Sequence, residues 1–169
     1  MKLLITLIAL IPLSMFAQTT PLWMRYSAIS PDGTEIAFSY KGDLYKVPAS
    51  GGRALQLTNH QAHDTEPVWS NDGKQIAFAS DRYGNFDVYL IPSVGGTSTR
   101  LTFHSSNDHP TDFTPDNSKV IFYSARMDAQ KAVFFPSGVL PEVYQVGVNG
   151  GRETQLLSAP AEIAQFSPD

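Results

Sequence analysis

The amino-acid sequence predicts an all-β fold: a β-propeller of four-stranded antiparallel blades, with three blades and the first strand of a fourth in its 169 residues. Three observations carry that expectation. A short turn motif recurs along the chain, the distances inside each recurrence are nearly constant, and 12 Gly, 12 Pro and 11% aromatic residues suit short strands joined by tight turns. The glycines follow no Gly-X-Y period, which excludes a collagen-like chain. A composition of 42% hydrophobic and 17% charged residues excludes disorder as the main state.

Residues 1–18 read as a signal peptide and stand outside the fold. Met1-Lys2 is a short positive start, and residues 3–16 form an apolar run broken only by Thr6, Pro12 and Ser14, too short for a comfortable membrane span. Polar Gln18-Thr19-Thr20 follows at once, so cleavage is expected after Ala17 or Gln18. Loss of Lys2 takes the formal charge from −4 to −5. The expected product is exported, periplasmic or extracellular, with no membrane contact after cleavage. The chain has no Cys, which leaves no disulfide framework, thiolate zinc site or lipid-attachment cysteine. Its 12 Lys and Arg are scattered through an acidic chain, so nucleic acid is not an expected partner.

Residues 19–169 then divide by their repeat. Ser30-Pro31-Asp32-Gly33, Ser70-Asn71-Asp72-Gly73, Thr114-Pro115-Asp116-Asn117 and Ser167-Pro168-Asp169 are four starts of one unit. Each of the first three leads into an alternating apolar segment ending in Phe38, Phe78 or Phe122, always 8 residues after the turn's first residue. Tyr45, Tyr89 and Tyr144 close the next strand, a Gly-Gly pair follows 6 residues later, and Leu57, Leu101 or Leu156 comes 5 after the second Gly. Only the step from Phe to Tyr varies, at 7, 11 and 22 residues, so one hairpin tip is free to grow while the other connections are set by geometry.

Blade one is placed at about 24–58, blade two at about 65–102 with strands at 67–69, 75–80, 86–91 and 99–102, and blade three at about 108–157. Residues 161–169 are read as the start of blade four. Pro31 and Asp32 fit the central positions of a type I turn, because Pro pre-sets one backbone angle and Asp hydrogen-bonds the backbone ahead. The Gly-Gly pairs supply the positive backbone angles of the following hairpin. Propellers close with about four to eight blades, so the chain is expected to be a portion of a longer protein.

The run Trp69-Ser70-Asn71-Asp72-Gly73-Lys74-Gln75-Ile76-Ala77-Phe78-Ala79-Ser80-Asp81-Arg82, with the Gly-Gly and Leu-Thr that follow, resembles the TolB-type (WD40-like) propeller repeat. Such repeats belong to TolB-like interaction scaffolds, prolyl-oligopeptidase-type propellers and tricorn-type serine peptidases. Blade one starts only a dozen residues after the expected cleavage site, whereas TolB places an α/β domain ahead of its propeller. The segments Pro21-Leu22-Trp23-Met24-Arg25-Tyr26 and Phe135-Pro136-Ser137-Gly138-Val139-Leu140-Pro141 look like those of exported tricorn-like peptidases of Gram-negative bacteria. That resemblance implies a non-catalytic propeller that guides peptide or protein substrate toward a PDZ domain and a serine-peptidase core further along the chain. The alternatives are a periplasmic TolB-like scaffold and the propeller of a prolyl-oligopeptidase-type hydrolase.

No Gly-x-Ser-x-Gly elbow occurs, and Ser137 lies in a long hairpin without a positioned His, so no catalytic residue is expected in this chain. His60, His63 and Asp64, echoed by His104, Asp108 and His109, are metal-ligating residue types whose spacing lacks a zincin signature; no metal and no cofactor is expected. These loops recur at one rim of a propeller. His63, Asp64, Asp108 and His109 are therefore candidates to touch substrate, with hydrogen-bonded loop pairs as the alternative. Asp112 joins them as a carboxylate on an innermost strand where blade two has Val68. The long hairpin carries Phe134 and Phe135 at its tip, an apolar pair expected to contact downstream domains of the same longer chain.

Overall fold

The computed structural model describes residues 23–126, 141–157, 159–161 and 163–167. Among them are twelve strands and no helix. The first sheet holds β1 (Arg25–Ile29), β2 (Glu35–Tyr40), β3 (Asp43–Pro48) and β4 (Leu55–Gln56); the second holds β5 (Asp64–Trp69), β6 (Gln75–Ser80), β7 (Asp87–Pro92) and β8 (Thr99–Arg100). The third is β9 (Asp108–Phe113), β10 (Lys119–Ser124), β11 (Glu142–Gly147) and β12 (Thr154–Leu157). Each sheet is an antiparallel meander in chain order, so the chain is an arc of three four-stranded propeller blades. Neighbouring blades meet through their first strands: β5 lies against β1, β2 and β3, and β9 against β5, β6 and β7.

The recurring turn has one physical cause. In blade two the Gly73 N–H donates to the Ser70 carbonyl at 2.9 Å, Ser70 Oγ donates to Asp72 Oδ1 at 2.7 Å, and Ser70 Oγ accepts from the Gln75 N–H at 2.9 Å. Blades one and three repeat this around Ser30 and Asp32 and around Thr114 and Asp116. The fourth turn residue is left-handed each time, at φ 71° for Gly33, 68° for Gly73 and 58° for Asn117. Glycine adopts that angle freely and Asn is among the few other residues that tolerate it.

Alternating side chains from each blade build two cores. One joins blades one and two through Ala37, Leu44, Leu57, Trp69, Ile76, Phe78, Tyr89 and Ile91. The other joins blades two and three through Ala77, Val88, Leu90, Leu101, Phe113, Val120, Phe122, Tyr144 and Val146. Adjacent residues Ile76, Ala77 and Phe78 thus serve opposite faces, as a strand's period of two requires.

The first strand of blade two starts earlier than the alternation implies. β5 begins at Asp64 rather than 67 because its register shifts between Thr65 and Val68, and β1 shifts likewise between Arg25 and Ala28. Tyr26 and Glu66, one repeat of 40 residues apart, occupy these bulges at φ 51° and 53°. An inserted residue breaks the period of two and so hides the first half of the strand from pattern reading.

Of the segment 161–169, expected to open a fourth blade, Ala161 docks as the heads of the first strands do. The Ala161 N–H donates to the Pro141 carbonyl at 2.8 Å, just as Asp64 N–H donates to Gly42 and Asp108 N–H to Phe86 at the two preceding junctions. Residues 163–167 have no strand ladder, since no second strand lies beside them among the described residues.

Candidate functional site

Bulges at Tyr26 and Glu66 re-aim side chains from the inner strands, and a cleft of about 700 Å³ opens where they do so. Blade one supplies Trp23, Arg25 and Tyr26 from one side and the Tyr40-Lys41-Gly42 hairpin from the other. Blade two supplies His63, Thr65, Glu66 and Phe86, and blade three supplies His109. Glu66 and His109 face each other across the blade junction, with His109 Nδ1 at 2.8 Å from Glu66 Oε2. The imidazole stacks on Tyr123 at 4.9 Å and tilts against Phe86 at 5.5 Å, which fixes its ring plane. Arg25 lies over the Trp23 ring at 5.4 Å and Lys41 over the Tyr40 ring at 5.4 Å. The result is a half-open slot with flat aromatic walls, hydrogen-bonding groups and charges of both signs.

Of the five residues expected to touch substrate, the structure brings His63 and His109 to this cleft. Asp64 and Asp108 lie beneath it, fully buried and engaged. Asp64 Oδ2 accepts from Arg82 Nη2 at 2.9 Å and Oδ1 from Ser80 Oγ at 2.6 Å. Asp108 binds Arg126 through both carboxylate oxygens. A carboxylate without exposed surface and already paired with a guanidinium holds the blade together and is out of reach of a ligand in the cleft. Asp112 sits elsewhere on β9, where Oδ1 accepts from the Phe113 N–H and Oδ2 from the Phe166 N–H, each at 2.7 Å. It ties the incoming segment to blade three. Phe134 and Phe135 lie outside the described residues.

His60 and His104 serve their own loops. Each accepts at Nδ1 the N–H two residues ahead, from Ala62 at 3.0 Å and from Ser106 at 3.1 Å. Among the described residues no group of three His, Asp or Glu side chains stands close enough to hold a metal ion. Ser39, the serine lining the cleft, donates its hydroxyl to the Asp64 carbonyl at 3.2 Å.

Glu66, Arg25, Tyr26, Lys41, Trp23 and Phe86 are cleft residues that sequence reasoning passes over. Glu66 carries no spacing signal because it is the extra residue of a bulge. Arg82 and Arg126 did have one: each follows its blade's Phe by four residues, at Phe78 and Phe122.

The profile of the tricorn protease N-terminal beta propeller domain matches residues 21–169. A Bacillus subtilis (strain 168) protein, the uncharacterized peptidase YuxL, is 32% identical over 66 residues, which is 33% of this chain and 10% of that one. Among solved structures, a TolB-type protein from Agrobacterium tumefaciens superposes with a TM-score of 0.68 at 24% identity, over 82% of this chain and 50% of its own. The tricorn protease superposes with a TM-score of 0.57 at 14% identity, over 73% of this chain and 13% of its own. At those identities the two structures establish the fold alone. The chain spans half or less of the length of each of these proteins.

Proposed function

The chain belongs to the tricorn protease N-terminal β-propeller domain family, and from that premise we propose that it is the non-catalytic propeller portion of an exported tricorn-like serine peptidase. It holds peptide segments of a substrate and guides them toward a peptidase core elsewhere in the protein. Export to the periplasm or the cell exterior of a Gram-negative bacterium rests on the signal-peptide pattern of residues 1–18.

The observation that carries the reading is the composition of the inner-strand cleft. An extended peptide offers amide groups, scattered side-chain charges and apolar surface, and aromatic walls bearing both Arg25 or Lys41 and Glu66 can meet all three without demanding one sequence. Trp23 makes this testable, because it is 71% exposed at the cleft while Trp69 is 7% exposed and donates its indole N–H to the Ala28 carbonyl. Titration with an unstructured, end-capped decapeptide is expected to change Trp23 fluorescence saturably. Tyr26→Ala or Lys41→Ala should weaken that binding roughly fivefold, the ~1 kcal/mol typical of one interface side chain. The complete protein should cleave the peptide and residues 19–169 should only bind it. A folded protein bound in preference to the peptide would favour the TolB-like scaffold, and no saturable change at millimolar peptide would refute the reading.

A further inference from the structure

A second cleft lies apart from the inner strands, between the close of blade one and the outer half of blade two. Two adjoining cavities of about 490 and 400 Å³ share His60, Arg82 and Ser98. Tyr83, Tyr89 and Arg100 complete the smaller one. We propose that this cleft is a binding site for a carboxylate, whether the side chain of an acidic residue or a peptide's terminal carboxylate.

Its lining presents donors. Arg100 Nε donates to the Thr102 carbonyl at 2.8 Å and Nη2 faces Asp87 Oδ2 at 2.7 Å, which leaves Nη1 for a ligand. Ser98 Oγ accepts from Arg82 Nη1 at 2.6 Å and keeps its own hydrogen to give. His60 accepts at Nδ1, which places its neutral-state proton on Nε2. None of the lining side chains is acidic, and the carboxylates of Asp64 and Asp87 are wholly buried.

The independent observation is Tyr89. Its side chain lines the cleft, only 3% of the residue is exposed, and its buried hydroxyl has no hydrogen-bond partner. A buried hydroxyl left unpaired carries a desolvation penalty, so a fold that keeps Tyr there gains when an acceptor arrives. Arg82 already lies over the Tyr89 ring at 4.8 Å and holds it in place.

Geometry selects the acceptor. The Arg100 guanidinium carbon lies over the Tyr83 ring at 4.5 Å and the Phe103 ring at 4.6 Å, so its remaining donors project in its own plane, toward a planar oxyanion. Arg82 is already faced by Asp64 and Arg100 by Asp87, so the two pairs carry no net charge, and a singly charged oxyanion is opposed less than a phosphate dianion. Tyr83 and Phe103, 69% and 66% exposed, give apolar contact to whatever bears the carboxylate.

The test is titration of the chain, followed by amide NMR, with N-acetyl-glutamate N-methylamide, its glutamine counterpart, N-acetyl-alanine with a free carboxylate, and inorganic phosphate. Saturable shifts at Ser98 and Arg100 are expected with one or both carboxylates and not with the glutamine compound; which carboxylate binds tighter distinguishes side chain from terminus. Tyr89→Phe should weaken the bound carboxylate about tenfold, the effect of one hydrogen bond to a charged group, while leaving the melting temperature unchanged or higher because no partner is lost. Arg100→Lys, which keeps the charge beside Asp87 and removes the planar fork, should abolish binding. Unchanged binding in Tyr89→Phe, a lowered melting temperature in that variant, or phosphate binding as tightly as the carboxylates would each overturn the proposal.

Discussion

Asp87 and Asp116 occupy environments that move a carboxyl in opposite directions. At Asp116 the Thr114 hydroxyl, then the Ser118 N–H and hydroxyl, stabilise the anion and hold it at about 2; Asp32 and Asp72 are lowered in the same way by Ser30 and Ser70. Burial pushes Asp87 up to about 6 and outweighs the attraction of Arg100. The consequences for stability are opposite too. A depressed carboxyl stabilises the fold above its unfolded value of about 4, and that contribution disappears as pH falls toward 2. A raised one stabilises below about 4, and its contribution is lost as pH rises through about 6. Urea midpoints measured from pH 2 to 8 should therefore show that Asp116→Asn blunts the acid loss, whereas Asp87→Asn flattens the decline between pH 4 and 7. Curves parallel to the unmodified chain would show that these two sites do not set the profile. Asn117 illustrates a different local compromise: it accepts a left-handed backbone where blades one and two use Gly, and its Oδ1 receives the Asn71 N–H of blade two at 2.6 Å.

The strands are braced by a device that recurs with the repeat. In blade two Arg82, which follows β6, reaches Asp64 at the head of β5 and lies over the Phe78–Tyr89 pair that joins β6 to β7. In blade three, 44 residues on, Arg126 does the same with Asp108 over Phe122 and Tyr144, at 5.0 Å from each ring centroid. Three of a blade's four strands are thereby fastened at one end. Blade one has Met24 and Gly42 at the matching positions. Asp64→Ala alone leaves a mostly buried guanidinium without its counter-charge and should cost about 3–5 kcal/mol. Replacing the pair together, as Asp64→Met with Arg82→Gly, should cost less than the sum of the single changes. A double-mutant cycle by urea denaturation measures the difference, and a coupling near zero would deny the brace.

Across the arc, stability is divided between two cores that share no residue. The opposed faces of β6 feed each in turn, which makes the architecture quasi-one-dimensional: each blade is stable through its neighbours. Ile76→Val in the first core should cost about 0.5–1.5 kcal/mol and Leu101→Ala in the second about 2–5 kcal/mol. Their combination should be additive within about 0.5 kcal/mol, read from denaturation midpoints of the two single variants and the double. Strong coupling would mean that the two junctions form one packed unit. Blade one differs from the two that follow it. Ile29 is 62% exposed on blade one, while Trp69 and Phe113, at the same position of the next two blades, are 7% and 1% exposed beneath the preceding blade.

The blade repeat, its turns and its alternating cores were all legible in the residue order, because each depends on interactions within a few positions: Ser70 with Asp72, Gly73 at a left-handed angle, Ile76 and Phe78 two apart. The candidate sites were only half legible. His63 and His109 both line the cleft, since one stands just before β5 and the other at the start of β9, the ends of the inner strands that the recurring connection feeds. Their partner Glu66 rests on a bulge that leaves no mark on composition, and the burial of Asp64 and Asp108 follows from arginines 18 residues away that settle on them once β5 pairs with β6 and β9 with β10. The outer cleft was invisible for the same reason: Tyr89, Arg100 and His60 belong to different strands and loops, and what they present depends on which groups the fold has already satisfied. Local chemistry repeats with the sequence, so sequence alone specified the blade. Which donors, carboxylates and rings remain unspent at a junction between blades is settled by long-range packing, which no spacing rule contains.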